Sequence, residues 1–152
     1  MKAVTDTYNL GFTAFGLGSA HASGLASVYD ELRDWEAAKK RAIADNVFQQ
    51  SKATSISRLE REFRLRLQTL TEEQLQLLVS EPSESRIPLS LLAVFKRYEF
   101  IRQFSEQVLL PKITIFDDEL RPSDYSSFVE ELEDAHPELL ELSDSSAKKI
   151  RQ

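Results

Sequence analysis

Two residues, His21 and His136, are the only side chains whose ordinary titration lies near neutral pH, so imidazole-centred acid–base chemistry has few places to sit. His21 lies in Gly18-Ser19-Ala20-His21-Ala22-Ser23-Gly24, where Ser19 or Ser23 would be the nucleophile of such a pair. The small residues around it fit the loose start of a helix better. His136 stands before Pro137 at the end of an acidic helix and is expected to face that helix's C-terminal dipole. Cysteine is absent, which excludes disulfides, zinc–thiolate sites and a thiol nucleophile. There is no Gly-Lys-Ser/Thr phosphate loop, and His21 stands where a dinucleotide fingerprint opening at Gly16-Leu17-Gly18 would need glycine. Asp117-Asp118-Glu119 are consecutive, without the alternating spacing of a calcium loop, and His-Glu-x-x-His does not occur. The chain therefore reads as a non-enzyme with no metal, no cofactor and no small-molecule substrate.

Charge offers a different chemistry. The net charge is −6, which argues against a generic nucleic-acid coat protein, but the charges are segregated. From Lys39 to Arg66 there are eight bases and three acids; from Lys112 to Asp144 there are eleven acids and two bases. Within the basic stretch, Glu60 precedes Arg64 and Glu62 precedes Arg66 by four residues, which is the favourable order for intrahelical pairs. Arg58 and Arg61 differ: a helical wheel turns both away from the apolar stripe, and Arg61 has no acid three or four residues away. With Thr54 and Ser55 at the helix start, and with Lys52, Lys39, Lys40 and Arg41 nearby in sequence, they form a candidate surface for phosphate contact with double-stranded DNA, weakly dependent on sequence. The arrangement of 35–67 is loosely helix-turn-helix. Its connection, Asp45 to about Ala53, is longer than the usual turn, so phosphate contact is favoured over base reading in a groove. The rival reading is a scaffold whose acidic residues Glu130, Glu131, Glu133 and Asp134 dock a basic partner, with Phe12, Phe15 and Leu65 as alternative contacts.

The elements that must position these residues are helical. The chain has 152 residues, 41% of them hydrophobic, which is enough for a core and for one domain spanning 1–152. All four glycines fall at or before position 24 and all five prolines at or after position 82, leaving a long helix-compatible middle. Residues 1–18 read as an irregular arm, in which a short strand near Phe12 fits. Helices are expected from Ser19 to about Leu32, and from Trp35 to about Ala44 behind an Asp34 N-cap. A third, capped by a hydroxyl in Ser51–Ser55, carries Ile56, Leu59, Phe63, Leu67 and Leu70. Thr71 and Gln74 form a capping-box pattern for a fourth, and 81–88 reads as a loop between an N-terminal half (19–80) and a C-terminal half (88–152). A fifth runs from about Pro88 to Leu110 and is ended by Pro111; Ile113 to Phe116 is read as extended. A sixth follows Pro122, with Tyr125, Phe128, Val129 and Leu132 inward, and a seventh starts at Ser143 and is still running at Gln152. The expected fold is all-α, a compact bundle of about seven helices. No signal peptide or membrane-spanning stretch is visible, so the expected home is the cytoplasm.

A further reading rests on the order of short features spread over residues 8–152. These are Gly11-Phe12-Thr13, Trp35-Glu36, Asn46, Thr54, Arg58, Arg66-Leu67, Leu70, Ala93, Lys96, Tyr98, Phe104, Asp124, Phe128, His136-Pro137-Glu138-Leu139, Leu142-Ser143 and Lys149. In this order and spacing the chain resembles the BrxA family, small proteins of bacterial BREX phage-defence loci. The resemblance implies a helical fold similar to the NusB-like antitermination proteins, which bind nucleic acid. It implies a non-enzymatic role in phage exclusion beside the BREX methyltransferase, ATPase and phosphatase-like components; a membrane label has been attached to such proteins, and this sequence gives it no support. Two positions depart from the family pattern: Ser146 stands where a threonine is usual, and the chain stops inside a helix where the family continues. A truncated or unusually short member is expected, without whatever interface the last helices supply.

Overall fold

The Asp34 side chain accepts the Ala37 N–H at 2.7 Å and thereby sets the first corner of the chain, separating helix α1 (Ser19–Leu32) from α2 (Trp35–Ala44). The corner is stiffened by Trp35 stacking on Tyr29, with ring centroids 3.9 Å apart. The computed structural model describes residues 7–80 and 82–140, and every regular element among them is helical, as expected. After α2 come α3 (Ala53–Leu67), α4 (Glu72–Ser80), α5 (Arg86–Arg97), α6 (Glu99–Phe104), a π turn over Ser105–Leu109, α7 (Leu110–Thr114) and α8 (Pro122–Leu132). Short 3-10 turns cover Gly11–Ala14, Ser83–Ser85 and Pro137–Leu139. The helix expected from Ser143 lies outside the described residues.

These elements form two compact units. One is Phe15–Arg97, built from α1 to α5. Its core gathers Leu25, Ala38, Ala42, Phe48, Phe63, Leu67, Leu75, Leu78 and Ala93. Alanines at the α1 and α2 contacts allow close helix approach. Phe48, fully buried, reaches this core from the α2–α3 connection, where Asn46 and Gln49 take left-handed backbone and the Asn46 amide bonds Gln50 at 2.8 and 3.0 Å. The other unit joins the segment ending at Ala14 to the chain from Tyr98 onward. Its core is Tyr8, Phe100, Tyr125, Phe128 and Leu139, with Leu10, Phe12, Ile101, Phe104 and Val108 packed against them.

The Thr71–Gln74 capping box is present in both directions, at 3.0 and 3.2 Å. Pro122 occupies the first turn of α8, where Asp124 receives the Arg121 N–H at 2.7 Å.

Several expectations need correction. The stretch around Phe12 is a 3-10 turn, not a strand. The N-cap of α3 is Lys52, and no hydroxyl side chain caps it. The expected long helix from Pro88 breaks at Tyr98, whose backbone is extended (φ −117°, ψ 107°). This break is where the two units divide, so the division falls at Arg97–Tyr98 and not at 81–88. It turns one apolar stripe to two tasks: Ala93 and Val94 are buried before it, while Phe100 serves the other core. Pro111 does not stop the helix either. In the π turn before it the Leu110 N–H reaches back to Ser105 O, and this wider turn relieves the clash a proline ring makes with the carbonyl four residues earlier. Helix α7 therefore runs through Ile113, which is not extended.

One position tests the packing directly. Gly18 has φ +58°, and a Cβ there would lie 2.3 Å from Phe63 Cζ. Gly18→Ala combines a left-handed backbone penalty with a core overlap and should cost roughly 2–4 kcal/mol in urea unfolding. Gly16→Ala, whose Cβ meets nothing within 4 Å, should leave the midpoint nearly unchanged.

Candidate nucleic-acid interface

The candidate surface is built on α3. On its inward side Phe63 and Leu67 enter the core, and with them go two charges: Glu60 is 1% exposed and Arg66 is 2% exposed. Burying charge is costly unless it is paired, and both are paired as the sequence order predicts. Glu60 holds Arg64 at 2.7 Å and Glu62 holds Arg66 at 3.0 Å. Arg66 also donates to the Gly16 carbonyl at 2.8 Å and lies over the Phe63 ring, 5.0 Å from its centroid.

The outward side differs. Arg58 and Arg61 are exposed, and neither makes an ion pair among the described residues. Spacings of three and four along α3 put Thr54, Ser55, Arg58, Arg61 and Leu65 on one arc. Thr54 is exposed, while Ser55 and Leu65 are half-buried. Arg58 stands over Phe15, its guanidinium carbon 5.6 Å from the ring centroid, so the arm residue braces the arginine. Because α3 has no capping side chain and no acid in its first turn, its N-terminal N–H groups and positive dipole end face outward beside the exposed Lys52.

Of the α2 cations, Lys40 is exposed and Lys39 half-buried, and neither is ion-paired among the described residues. Arg41 is drawn off: its guanidinium holds Asp45 at 2.7 Å, and that hydrogen bond raises the Arg41 pKa. The predicted set thus reduces to Lys39, Lys40, Lys52, Arg58 and Arg61 as available cations.

The acidic residues lie in the other unit. On and just after α8, Glu130, Glu131 and Asp134 are exposed and Glu133 is half-buried, with no ion pair among the described residues. Taken by unit, the charge segregation is weaker than between the two stretches but keeps its sign. From Phe15 to Arg97 the sequence has 12 bases and 11 acids, while the remainder has 7 and 14.

The expected histidine roles resolve differently. His21 sits in the first turn of α1, edge-on to Phe48 and Phe63 with centroids 5.5 Å away. His136 follows the end of α8, its backbone N–H donating to the Leu132 carbonyl at 2.9 Å, and its ring has partners the sequence did not announce. It is buried and stacked on Tyr8 at 3.8 Å, and its Nδ1 lies 3.0 Å from Glu138, which also accepts the Tyr8 N–H at 2.8 Å. Burial raises the Glu138 pKa, but the hydrogen bonds from the backbone and His136 outweigh it and hold the carboxyl below its usual range.

The turn after α7 holds a network that the sequence did not announce. Lys112 binds Asp117 at 2.6 Å and Asp124 at 3.3 Å, and Arg121 binds Asp117 at 3.0 Å and Glu119 at 2.7 Å. Asp117 is thus tied in and is not a freely solvated acid. No group of three or more His, Cys, Asp or Glu side chains among the described residues is arranged to hold a metal ion. No described helix is long and apolar enough to cross a membrane.

Among the described residues, fold and surface define an all-helical protein with a group of available cations on Phe15–Arg97, while the rest of the sequence carries the excess of acids. The family model for BrxA matches residues 6–152, and the chain belongs to the BrxA family. Membership carries an association with BREX phage defence. No curated protein and no solved structure matches the chain.

The ion network yields a pH prediction. The Lys112 hydrogen bond, followed by that from Arg121, pulls the Asp117 carboxyl down to about 2 from an ordinary 3.8. A carboxyl depressed in the fold stabilises it above the unfolded value, and that contribution is lost as pH falls from near 4 toward 2. In a carboxyl-carbon NMR titration, Lys112→Met should move the Asp117 midpoint up toward 3.8; an unmoved midpoint would disprove the assigned cause.

Proposed function

We propose that this protein is a non-enzymatic DNA-binding component of a BREX phage-exclusion system, contacting duplex phosphates through α3 and neighbouring lysines. The observation that supports this reading best is the contrast between the two sides of α3. Arg64 and Arg66 are neutralised by Glu60 and Glu62, whereas Arg58 and Arg61 are exposed and unpaired among the described residues. An uncapped helix start, flanked by Lys52 and the Thr54 and Ser55 hydroxyls, adds donors suited to phosphate oxygens. Lys39 and Lys40 extend the cationic surface. The connection between α2 and α3 is longer than the turn of a helix-turn-helix, so binding is largely sequence-independent, and the protein acts in the cytoplasm, without cofactor, beside other BREX proteins.

A second reading is favoured by one observation of its own. The carboxylates of Glu130, Glu131 and Asp134 are exposed and make no ion pair among the described residues, as a surface would that docks a basic protein partner. The two readings use different units and are compatible.

Phosphate neutralisation releases counterions, so five available cations limit the slope of log Kobs against log salt to about −4.5. In fluorescence anisotropy with short duplex DNA, Arg58→Glu/Arg61→Glu should weaken binding roughly tenfold or more at low salt, with helical content and unfolding midpoint retained. Unchanged affinity in this variant would sink the assignment to α3, and no binding by the wild type at about 50 mM salt would leave the docking reading in its place.

A further inference from the structure

We propose that the turn ending α7 is a docking knob for a basic, amphipathic segment of a partner protein. Within the eleven residues Leu110–Leu120, five large apolar side chains face solvent: Leu110, Ile113, Ile115, Phe116 and Leu120. Phe116 is 95% exposed and Ile115 72%. A cluster of this kind, unlike a lone exposed leucine, marks an interaction site.

The backbone under the cluster is held in a conformation that a bulky residue avoids. Phe116 has φ +58°, in the left-handed region. Its N–H donates to Ile113 O at 3.1 Å, and the Asp117 N–H donates to Lys112 O at 2.9 Å. The ion pairs of Lys112 and Arg121 with Asp117 lock the next residue. The aromatic ring is thus presented on a braced turn, as an anchor is when its ordering is completed before binding.

Charge decides what covers it. Both bases of the neighbourhood, Lys112 and Arg121, are consumed inside the network, while the Asp118 carboxylate is exposed and unpaired among the described residues. Beside the turn is an open cleft of about 320 Å³ whose lining includes Val108, Pro111 and Phe128, the paired Lys112 and Asp124, and Glu131. Glu131 is another exposed carboxylate without an ion pair among the described residues. An occupant must therefore offer apolar side chains to Ile113, Ile115 and Phe116 and a cation to Glu131 and Asp118. A lysine- or arginine-bearing amphipathic helix meets both demands; the carboxylates repel nucleic acid and anionic lipid. The inference rests on the docking reading above for its basic protein partner, keeps Glu131 but replaces Glu130 and Asp134 with this turn as the contact, and is independent of DNA binding.

The test uses the full chain and two labelled amphipathic helical peptides of identical pattern, one of Leu and Lys, the other of Leu and Glu. The Leu/Lys peptide should bind in fluorescence anisotropy and the Leu/Glu peptide should not. Ile115→Ser/Phe116→Asn should weaken binding roughly tenfold or more, since asparagine tolerates the left-handed backbone and both side chains are exposed. Glu131→Gln should weaken it a few-fold, and Glu130→Gln/Asp134→Asn should leave it unchanged. Binding that survives Ile115→Ser/Phe116→Asn but fails in Glu130→Gln/Asp134→Asn overturns the knob and leaves the α8 reading standing. Binding of neither peptide overturns the knob. So does partition into anionic vesicles, or concentration-dependent self-association by light scattering, where Ile115→Ser/Phe116→Asn abolishes it.

Discussion

Arg66 is a cation taken almost wholly out of water, and the placement of the candidate surface depends on how it is satisfied. Burial pulls its pKa down, and the Glu62 carboxylate offsets this only in part. The same guanidinium donates to the Gly16 carbonyl and rests on Phe63. One turn of α3 thus fastens the Phe15–Gly18 segment, and Gly18 fits there because only a residue without Cβ can approach Phe63 so closely. Phe15 is thereby fixed where Arg58 stands over it. The buried charge and the exposed charge of α3 belong to one construction: the inner pair sets the arm, and the arm supports the outer arginine.

Segregation of charge follows a similar logic throughout. Cations that sit within reach of a carboxylate are used internally: Arg33 by Asp30 and Glu72, Arg41 by Asp45, Arg102 by Glu99 and Glu106, Lys112 by Asp117. What remains outward differs between the units. Among the described residues of Phe15–Arg97 the cations Lys39, Lys40, Lys52, Arg58 and Arg61 remain without an ion pair, beside the exposed Glu31, Glu36, Glu73 and Glu84; after Tyr98 it is Asp118, Glu130, Glu131 and Asp134. Net charge over the whole chain conceals this, because interaction at a surface depends on local unpaired charge.

Much of this was legible in the sequence where a local rule acts. The Asp34 cap, the Thr71–Gln74 box, Pro122 in a first turn and the Glu60–Arg64 and Glu62–Arg66 pairs all operate within four residues. The outward aim of Arg58 and Arg61 followed from the apolar stripe opposite. What escaped was non-local. Leu91, Leu92, Phe95, Tyr98, Ile101 and Phe104 keep helical spacing across the Tyr98 break, so periodicity could not reveal it. Pro111 stops an α-helix by rule, and the π turn before it is not written in residue type. The partner of His136 is Tyr8, far away in the chain. Ile113 to Phe116 read as extended, and their exposure was not legible, because apolar type alone does not distinguish a core from an anchor. The Arg41–Asp45 pair obeyed the same four-residue rule as the others, but it straddles the end of α2, where helical spacing is not assured.

The most direct test of the account is an amide chemical-shift map of the full chain titrated with short duplex DNA at low and raised salt. The account predicts shifts concentrated over residues 52–61 and at Lys39 and Lys40, shrinking as salt rises, with 110–120 unmoved. Shifts centred on 110–134, or none at low salt, would contradict it.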